Sequence, residues 1–385
     1  MSGQYMGDID DMLDYVKNNT VPGVTFVDVK AGSIASFFVY LDKKGLGWFF
    51  YFALSIWQNR ALDTAREIAS KNDIFLTHHL GPIGFREPGY LWKLELPHVW
   101  GPIGGIKVID MRLLSDKPLK TRIKFYLKNK LNVLQIRYAS KVKKALLASD
   151  YLLAATISDQ FFIEKFHGKK SSHFPENGIF ETSFEKHHSD NNQQLVNIIW
   201  CGRLTHEKNL VLLIRALSRM ASKNWILNVL GEGPLKNEYL KLCSDLMISD
   251  KIIWHGQVER QKVLETFSIS QIHVITSISE ANTTVLFEAM SFGVPTITID
   301  HCGMGDIVNE RSGAKIKIDF PEKMAIEMSN VLNHFLSDEA ALQVITEGVK
   351  NEALLFTWEH RKSLLKKYYF EAVDNWNNVH KKVKD

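Results

Sequence analysis

Between residues 196 and 299, short apolar runs alternate with segments of helical character, and this constrains the fold more than any other feature. Val196–Cys201, Trp225–Leu230, Ile252–Trp254, His273–Ile275 and Thr296–Ile299 read as strands because β-branched and aromatic residues suit a half-buried pleated surface. Residues 210–221, 234–246, 259–269 and 284–291 read as the helices between them. Successive strands separated by helices form a parallel sheet, since parallel pairing needs a long crossover. Residues just past the carboxyl end of each strand are therefore the first candidates for ligand binding.

The rest of the chain extends the pattern. Ile9, Met12, Leu13 and Val16 recur at helical spacing, with Asp8 or Asp10 as a cap. A strand is expected at Val24–Val29, a long helix from about Leu46 to Ser70, and a strand Ile74–Thr77 ending at His78-His79. Further strands are expected at Pro97–Trp100, running into Gly101–Gly105, and at Tyr151–Ala155. Residues 167–193 are polar and rich in His, Ser and Asn, as in a linker. At roughly 100–200 residues per domain, 385 residues make two or three domains. The expected division is 1–190 and 191–359, with a last helix, about 360–385, packing back on the first domain. The fold class is α/β, with two Rossmann-like domains facing each other across a cleft.

Composition excludes several functions. A net charge of +4 is too small to argue for a nucleic-acid partner. Cys201, Cys243 and Cys302 are scattered, without zinc spacing, and fit a reducing compartment. The first residues are polar and acidic, unlike a signal peptide. The most apolar stretch, Gly45–Trp57, is 13 residues long, short of the ~17–25 that a spanning helix needs. A cytoplasmic location is expected. Residues 115–150 are dense in lysine and arginine, with Leu119, Ile123, Leu127, Leu131, Leu134 and Tyr138 at spacings of three and four. Two readings stand: a solvated helix with its apolar side in the core, or a helix on an anionic membrane surface at the inner face of the cell membrane.

The chemistry concentrates in the second domain. Strand 196–201 ends in Gly202-Arg203, with Lys208 and Asn209 close behind, so two cations could hold a diphosphate. Taken alone, they could equally be solvated loop charges. Strand 225–230 ends in Gly231-Glu-Gly233-Pro234, a tight turn; no G-x-G-x-x-G occurs, which disfavours a nicotinamide or flavin enzyme. Ser279–Met290 places Glu280 and Glu288 on either side of Asn282, Thr283 and Thr284, which offer caps for a helix starting there. Exposed N–H groups and the positive helix end would favour a phosphate. Glu288 could accept hydrogen bonds from a ribose diol, and Glu280 could reach sugar hydroxyls.

Together these pieces resemble the GT-B glycosyltransferases of family 4. The matching segments are Gly202-Arg203-Leu…Lys208-Asn209, Gly231-Glu-Gly-Pro234, His255-Gly256, Glu280-x7-Glu288 and Gly293-Val-Pro295, in family order over about 160 residues. His78-His79, Leu91–Leu94 and Trp100–Gly105 look like one bacterial surface-polysaccharide branch. The resemblance implies a hexosyltransferase that takes a nucleotide-diphosphate sugar as donor substrate and a saccharide or lipid-linked acceptor. It implies retention, no metal and no separate cofactor. Arg203 and Lys208 correspond to the pair that neutralises the diphosphate, and Glu288 to the ribose-binding acid. Glu280 corresponds to the acid beside the transferred sugar, and Asn282–Thr284 to the helix start under the distal phosphate. His79, rather than His78, corresponds to the histidine facing the reacting sugar. Gly231, Gly233 and Val258 belong to the donor side, and Gly104 and Gly105 to an acceptor-side loop. The family's opening strand, glycine-rich loop and second strand have no counterpart here, some 40–60 residues by the size of a βαβ unit. That departure keeps a second expectation alive: a non-catalytic, glycosyltransferase-like protein that binds a nucleotide sugar or a partner.

Overall fold

The computed structural model describes residues 16–19, 22–44, 49–184 and 195–381. Most of the expected first helix (Ile9, Met12, Leu13) and the end of the expected linker lie outside them; residues 16–18 are helical. The chain divides into two compact units. The first holds residues 1–101, 139–152 and 369–385, and the second 102–138 and 153–368.

In the first unit, helices α1 (Gly32–Lys43) and α2 (Phe49–Lys71) pack together, with Phe38 stacked on Phe49. Strand β1 (Thr77–His79) pairs in parallel with the start of β2 (His98–Ile103), Thr77 opposite His98 and His79 opposite Trp100. Two expectations are corrected here. Val24–Val29 is extended but forms no strand, because no neighbouring strand among the described residues offers it a ladder. It is pinned instead by the Trp57 indole, which donates to Val29 O at 2.5 Å. The strand expected at Ile74–Thr77 lies later, so that both histidines are strand residues.

The second unit begins with the end of β2 and helix α3 (Leu119–Tyr138). Helix α4 (Ser140–Ala148) and the start of β3 (Tyr151–Ala154) belong to the first unit. Helix α5 (Ile157–His167) and β4 (Ser172–His173) follow in the second, where the end of β3 pairs in parallel with β4. Next come β5 (Val196–Cys201), α6 (Leu210–Ser218), β6 (Trp225–Leu230), α7 (Lys236–Asp245), β7 (Ile252–Gly256) and α8 (Arg260–Ile269). Then follow β8 (Ile272–Ile275), α9 (Thr284–Ser291), β9 (Thr296–Ile299), α10 (Cys302–Ile307) and β10 (Gly313–Ile316). The chain closes with α11 (Pro321–Ser337), α12 (Glu339–Leu355) and α13 (Trp358–Lys381).

Strands β5 to β10 form one six-stranded sheet in the order β10-β9-β8-β5-β6-β7, every pair parallel. Its strands are apolar on both faces, as a sheet covered on both sides requires. Ile198, Ile199, Val229, Val274 and Ile297 are at most 1% exposed. Helix α6 shows how burial overrides a poor start. Its N-cap, Asn209, is left-handed and makes no side-chain cap bond. Five aliphatic side chains, Leu210, Leu212, Leu213, Ile214 and Leu217, are nonetheless buried, each worth about 1.5–3 kcal/mol. The strand order reverses between β5 and β8, so the loops leaving these two strands diverge and leave a crevice at their carboxyl ends.

Candidate active site

The loops after β5 and β6 are laced to each other and to the end of β7 by main-chain bonds. Gly202 N donates to Leu230 O (2.9 Å), Leu204 N to Glu232 O (3.0 Å) and Gly231 N to Gly256 O (2.8 Å). This approach requires glycine. Gly231 has φ +139°, a region closed to side chains, and a Cβ there would sit 1.9 Å from Gly202 O. A Cβ at Gly233 would meet Leu204 O at 2.5 Å. Together the loops line a pocket of about 550 Å³ whose walls include Arg203, Gly231, Gly233 and Val258. Arg203 is exposed over it.

Lys208 lies further along the first loop, and its ammonium forms an ion pair with the Glu280 carboxylate. Three long-range bonds hold this geometry. The Trp200 indole donates to Thr276 Oγ1 (3.0 Å), the Thr276 hydroxyl donates to Lys208 O (2.7 Å), and Ile278 N donates to Glu207 O (2.9 Å). The left-handed Asn209 is held by the buried ammonium of Lys117, which donates to its Oδ1 at 2.7 Å and pairs with Asp116 at 3.3 Å. Thr276 and Lys117 carry no motif, so only the fold reveals them as supports.

Helix α9 starts at Thr284 after the N-cap Thr283, and no side chain caps it. The capping expected of Asn282 is not realised. Its amide donates to Ala155 O (2.8 Å), and its own carbonyl accepts from Asn177 Nδ2 (2.9 Å). The helix start thus keeps the uncapped N–H groups that attract anions. Thr284 and Glu288 line a second pocket of about 490 Å³, beside Asn177, Arg260 and Trp358. Burial raises the Glu288 carboxyl above its ordinary range, against the pull of Arg260 at 3.3 Å. Burial, with the charge of Glu288 second, pushes the Cys201 thiol up to about 11. Since Cys201 lines the first pocket, Glu288 lies close to both.

The two histidines of β1 are engaged within the protein. His78 Nε2 lies 2.8 Å from Gly101 O, and Nδ1 lies 2.8 Å from the Tyr369 hydroxyl. A carbonyl only accepts, so Nε2 carries the proton and Tyr369 donates to Nδ1. Burial lowers the His78 pKa to about 4 and that of His98 to about 3. His79 is buried, with Nε2 donating to Glu87 O at 3.1 Å, and its ring rests on Gly89, where a Cβ would be 2.7 Å away. Burial lowers its pKa too. Gly104 is buried, and Gly105 turns at φ +89°. Among the described residues no three His, Cys, Asp or Glu side chains gather as a metal-ligand set. The chain's Asp-x-Asp triplet, Asp8-Ile9-Asp10, lies outside them.

The crevice therefore gathers an exposed arginine, a lysine–glutamate pair, a glycine turn and an uncapped helix start within one parallel sheet. Residues 180–352 match the family model for glycosyl transferases, group 1. A relative from Campylobacter jejuni, named GalNAc-alpha-(1->4)-GalNAc-alpha-(1->3)-diNAcBac-PP-undecaprenol alpha-1,4-N-acetyl-D-galactosaminyltransferase, is 26% identical over 223 residues, 55% of this chain and 58% of that protein. The chain spans less than two thirds of the length of the curated relatives it matches. Sucrose-phosphate synthase from Thermosynechococcus elongatus superposes with a TM-score of 0.58, at 15% identity over 83% of this chain and 78% of that one. The lipopolysaccharide outer core galactosyltransferase does so with a TM-score of 0.51, at 18% identity over 73% and 77%. The α/β fold with parallel sheets is the fold of these GT-B glycosyltransferases.

Proposed function

We propose that this chain moves a sugar from a nucleotide-diphosphate sugar to a saccharide or lipid-linked acceptor, with retention and without a metal. The reading places it in surface-polysaccharide assembly, on the cytoplasmic side of the cell membrane. The observation that carries it is the convergence of Arg203, the Lys208–Glu280 pair and the start of α9 at the carboxyl ends of β5 and β8. Two cations and a helix N-terminus supply positive charge where a diphosphate leaving group would gain negative charge. The names of the Campylobacter relative and of the galactosyltransferase support the acceptor class.

In this reading Arg203 and Lys208 bind the diphosphate, Glu280 holds hydroxyls of the transferred sugar, and Glu288 binds the ribose. Val258, Gly231 and Gly233 form the donor wall, and the N–H groups after Thr283 receive the distal phosphate. His79 faces the reacting sugar, and the Gly104–Gly105 turn lines the acceptor side. The bond from the anomeric carbon to the phosphate oxygen breaks, and the bond to the acceptor oxygen forms on the same face. The acceptor proton passes to the departing phosphate. A donor panel scored for nucleoside diphosphate release tests the reading, with Arg203→Ala and Lys208→Ala as controls. Losing one such charge is expected to cost about 10²–10³ in kcat without loss of fold. Unchanged turnover in either variant removes that residue's role, and no binding of any donor overturns the function.

A further inference from the structure

Helix α3 shows which side of the basic stretch faces inward. At ~100° per residue, its exposed apolar side chains Leu119, Ile123, Leu127, Leu131, Leu134 and Tyr138 fall within an arc of roughly 120°. They are 67%, 50%, 59%, 49%, 53% and 64% exposed. The opposite side faces inward through Phe125, Asn132 and Ile136, all buried. The asparagines anchor it. Asn129 exchanges two bonds with the Ile109 main chain (2.7 and 3.0 Å), and Asn132 donates to Lys107 O (2.7 Å). The outward orientation of the aliphatic row is therefore set by the fold. The helix carries six basic residues and no acidic one, and Lys120, Lys124 and Lys130 are exposed around the row.

We infer that this face of α3 lies in the headgroup region of a bilayer rich in anionic phospholipid. A row of leucines set among lysines matches a surface that is negative outside and apolar just beneath. The 20-residue helix is about 30 Å long and would lie in the membrane plane. No described helix is long and apolar enough to cross a membrane. A second copy is a poor occupant, because it would bring the same six positive charges against themselves. A phosphate backbone would find six apolar side chains at the centre of its contact. The inference deepens the proposed function by naming a surface that holds the enzyme beside lipid-linked acceptors, and it rests on that reading for the identity of the membrane.

The test is flotation of the full chain with vesicles of phosphatidylcholine alone or with about a third phosphatidylglycerol, at low and high salt. Neither donor nor acceptor is present, so failed sugar transfer leaves the result standing, and the reverse also holds. Wild type is expected to float with the anionic vesicles and to be released by salt. Replacing Lys120, Lys124 and Lys130 together by glutamine is expected to weaken partitioning about a hundredfold. Ile123→Ser with Leu127→Ser and Leu134→Ser is expected to abolish it, with circular dichroism and the unfolding midpoint unchanged, since all three project from the core. Absence of flotation, equal flotation with neutral vesicles, or variants that float like wild type would overturn the inference. So would a dimer in light scattering that the serine variant dissociates.

Discussion

The turn at Gly231 offers a quantitative test, because the space around it is defined by main chain that cannot rotate away. A Cβ at this position would lie 1.9 Å from Gly202 O, where real contacts do not fall below 3.0 Å. In Gly231→Ala the two loops must therefore part by at least about 1.1 Å. The backbone at φ +139° adds strain of order 1–3 kcal/mol. Parting the loops also weakens the bonds from Gly202 N to Leu230 O and from Leu204 N to Glu232 O, each worth about 0.5–1.5 kcal/mol. The sum is a loss of about 2–6 kcal/mol, at the severe end for a single methyl group. The same loops carry Arg203, so its guanidinium moves with them, and a displacement near 1 Å can cost about a hundredfold in turnover. Urea unfolding measures the first effect; nucleoside diphosphate release in the donor assay and calorimetric titration with nucleoside diphosphates, under conditions where the variant remains folded, measure the second. Gly84→Ala is the control, since nothing lies within 4 Å of its Cβ. If Gly231→Ala unfolds within about 0.5 kcal/mol of wild type and binds diphosphates normally, the laced-loop argument fails.

Two further outcomes are expected. Burial raises the Glu288 carboxyl, so its ionised form costs stability above the ordinary carboxylate range. Glu288→Gln should raise the unfolding midpoint at neutral pH, with the gain fading in acid, while raising the donor KM; a lower midpoint with unchanged KM would count against both assignments. On the acid side, His78, His98 and His273 are held neutral, with pKa values of about 4, 3 and 3 against an ordinary 6.5. A lowered folded pKa contributes stability that is complete above 6.5 and is lost as pH falls towards the folded value. Each contributes a slope of about 1.4 kcal/mol per pH unit in that window. Unfolding free energies measured between pH 6.5 and 4 should fall accordingly, and His273→Phe should remove one such increment, about 1.4 kcal/mol per pH unit, from the slope. A flat profile in the wild type would show that these rings are hydrated.

The second unit was legible because its information is local. Val196–Cys201, Trp225–Leu230, Thr284–Ser291 and Thr296–Ile299 have the bounds read from the sequence, since strand runs are bounded by turn glycines and helices by periodic apolar positions. The first unit was less so. Val24–Val29 has strand composition, but a strand exists only with a neighbour to pair with. Helix α1 and strand β10 carried no strong local signal and were not foreseen. In the site, the residue types were legible but several of their partners were not. Asn282 had the composition of a cap, yet its amide goes to Ala155 O, 127 residues away.

Sequence by itself determined the alternation of strands and helices, the glycine turns at the strand ends and the residue types that a nucleotide sugar would require. Tertiary structure decided that Lys208 pairs with Glu280, 72 residues distant. It also decided that a buried lysine props Asn209 and that the leucines of α3 point outward. Periodicity places a stripe on one side of a helix, but two sides of α3 could have been buried. The choice fell to Asn129 and Asn132, because their amides find main-chain partners at Lys107 and Ile109, and a polar group that is hydrogen-bonded can be buried at little cost.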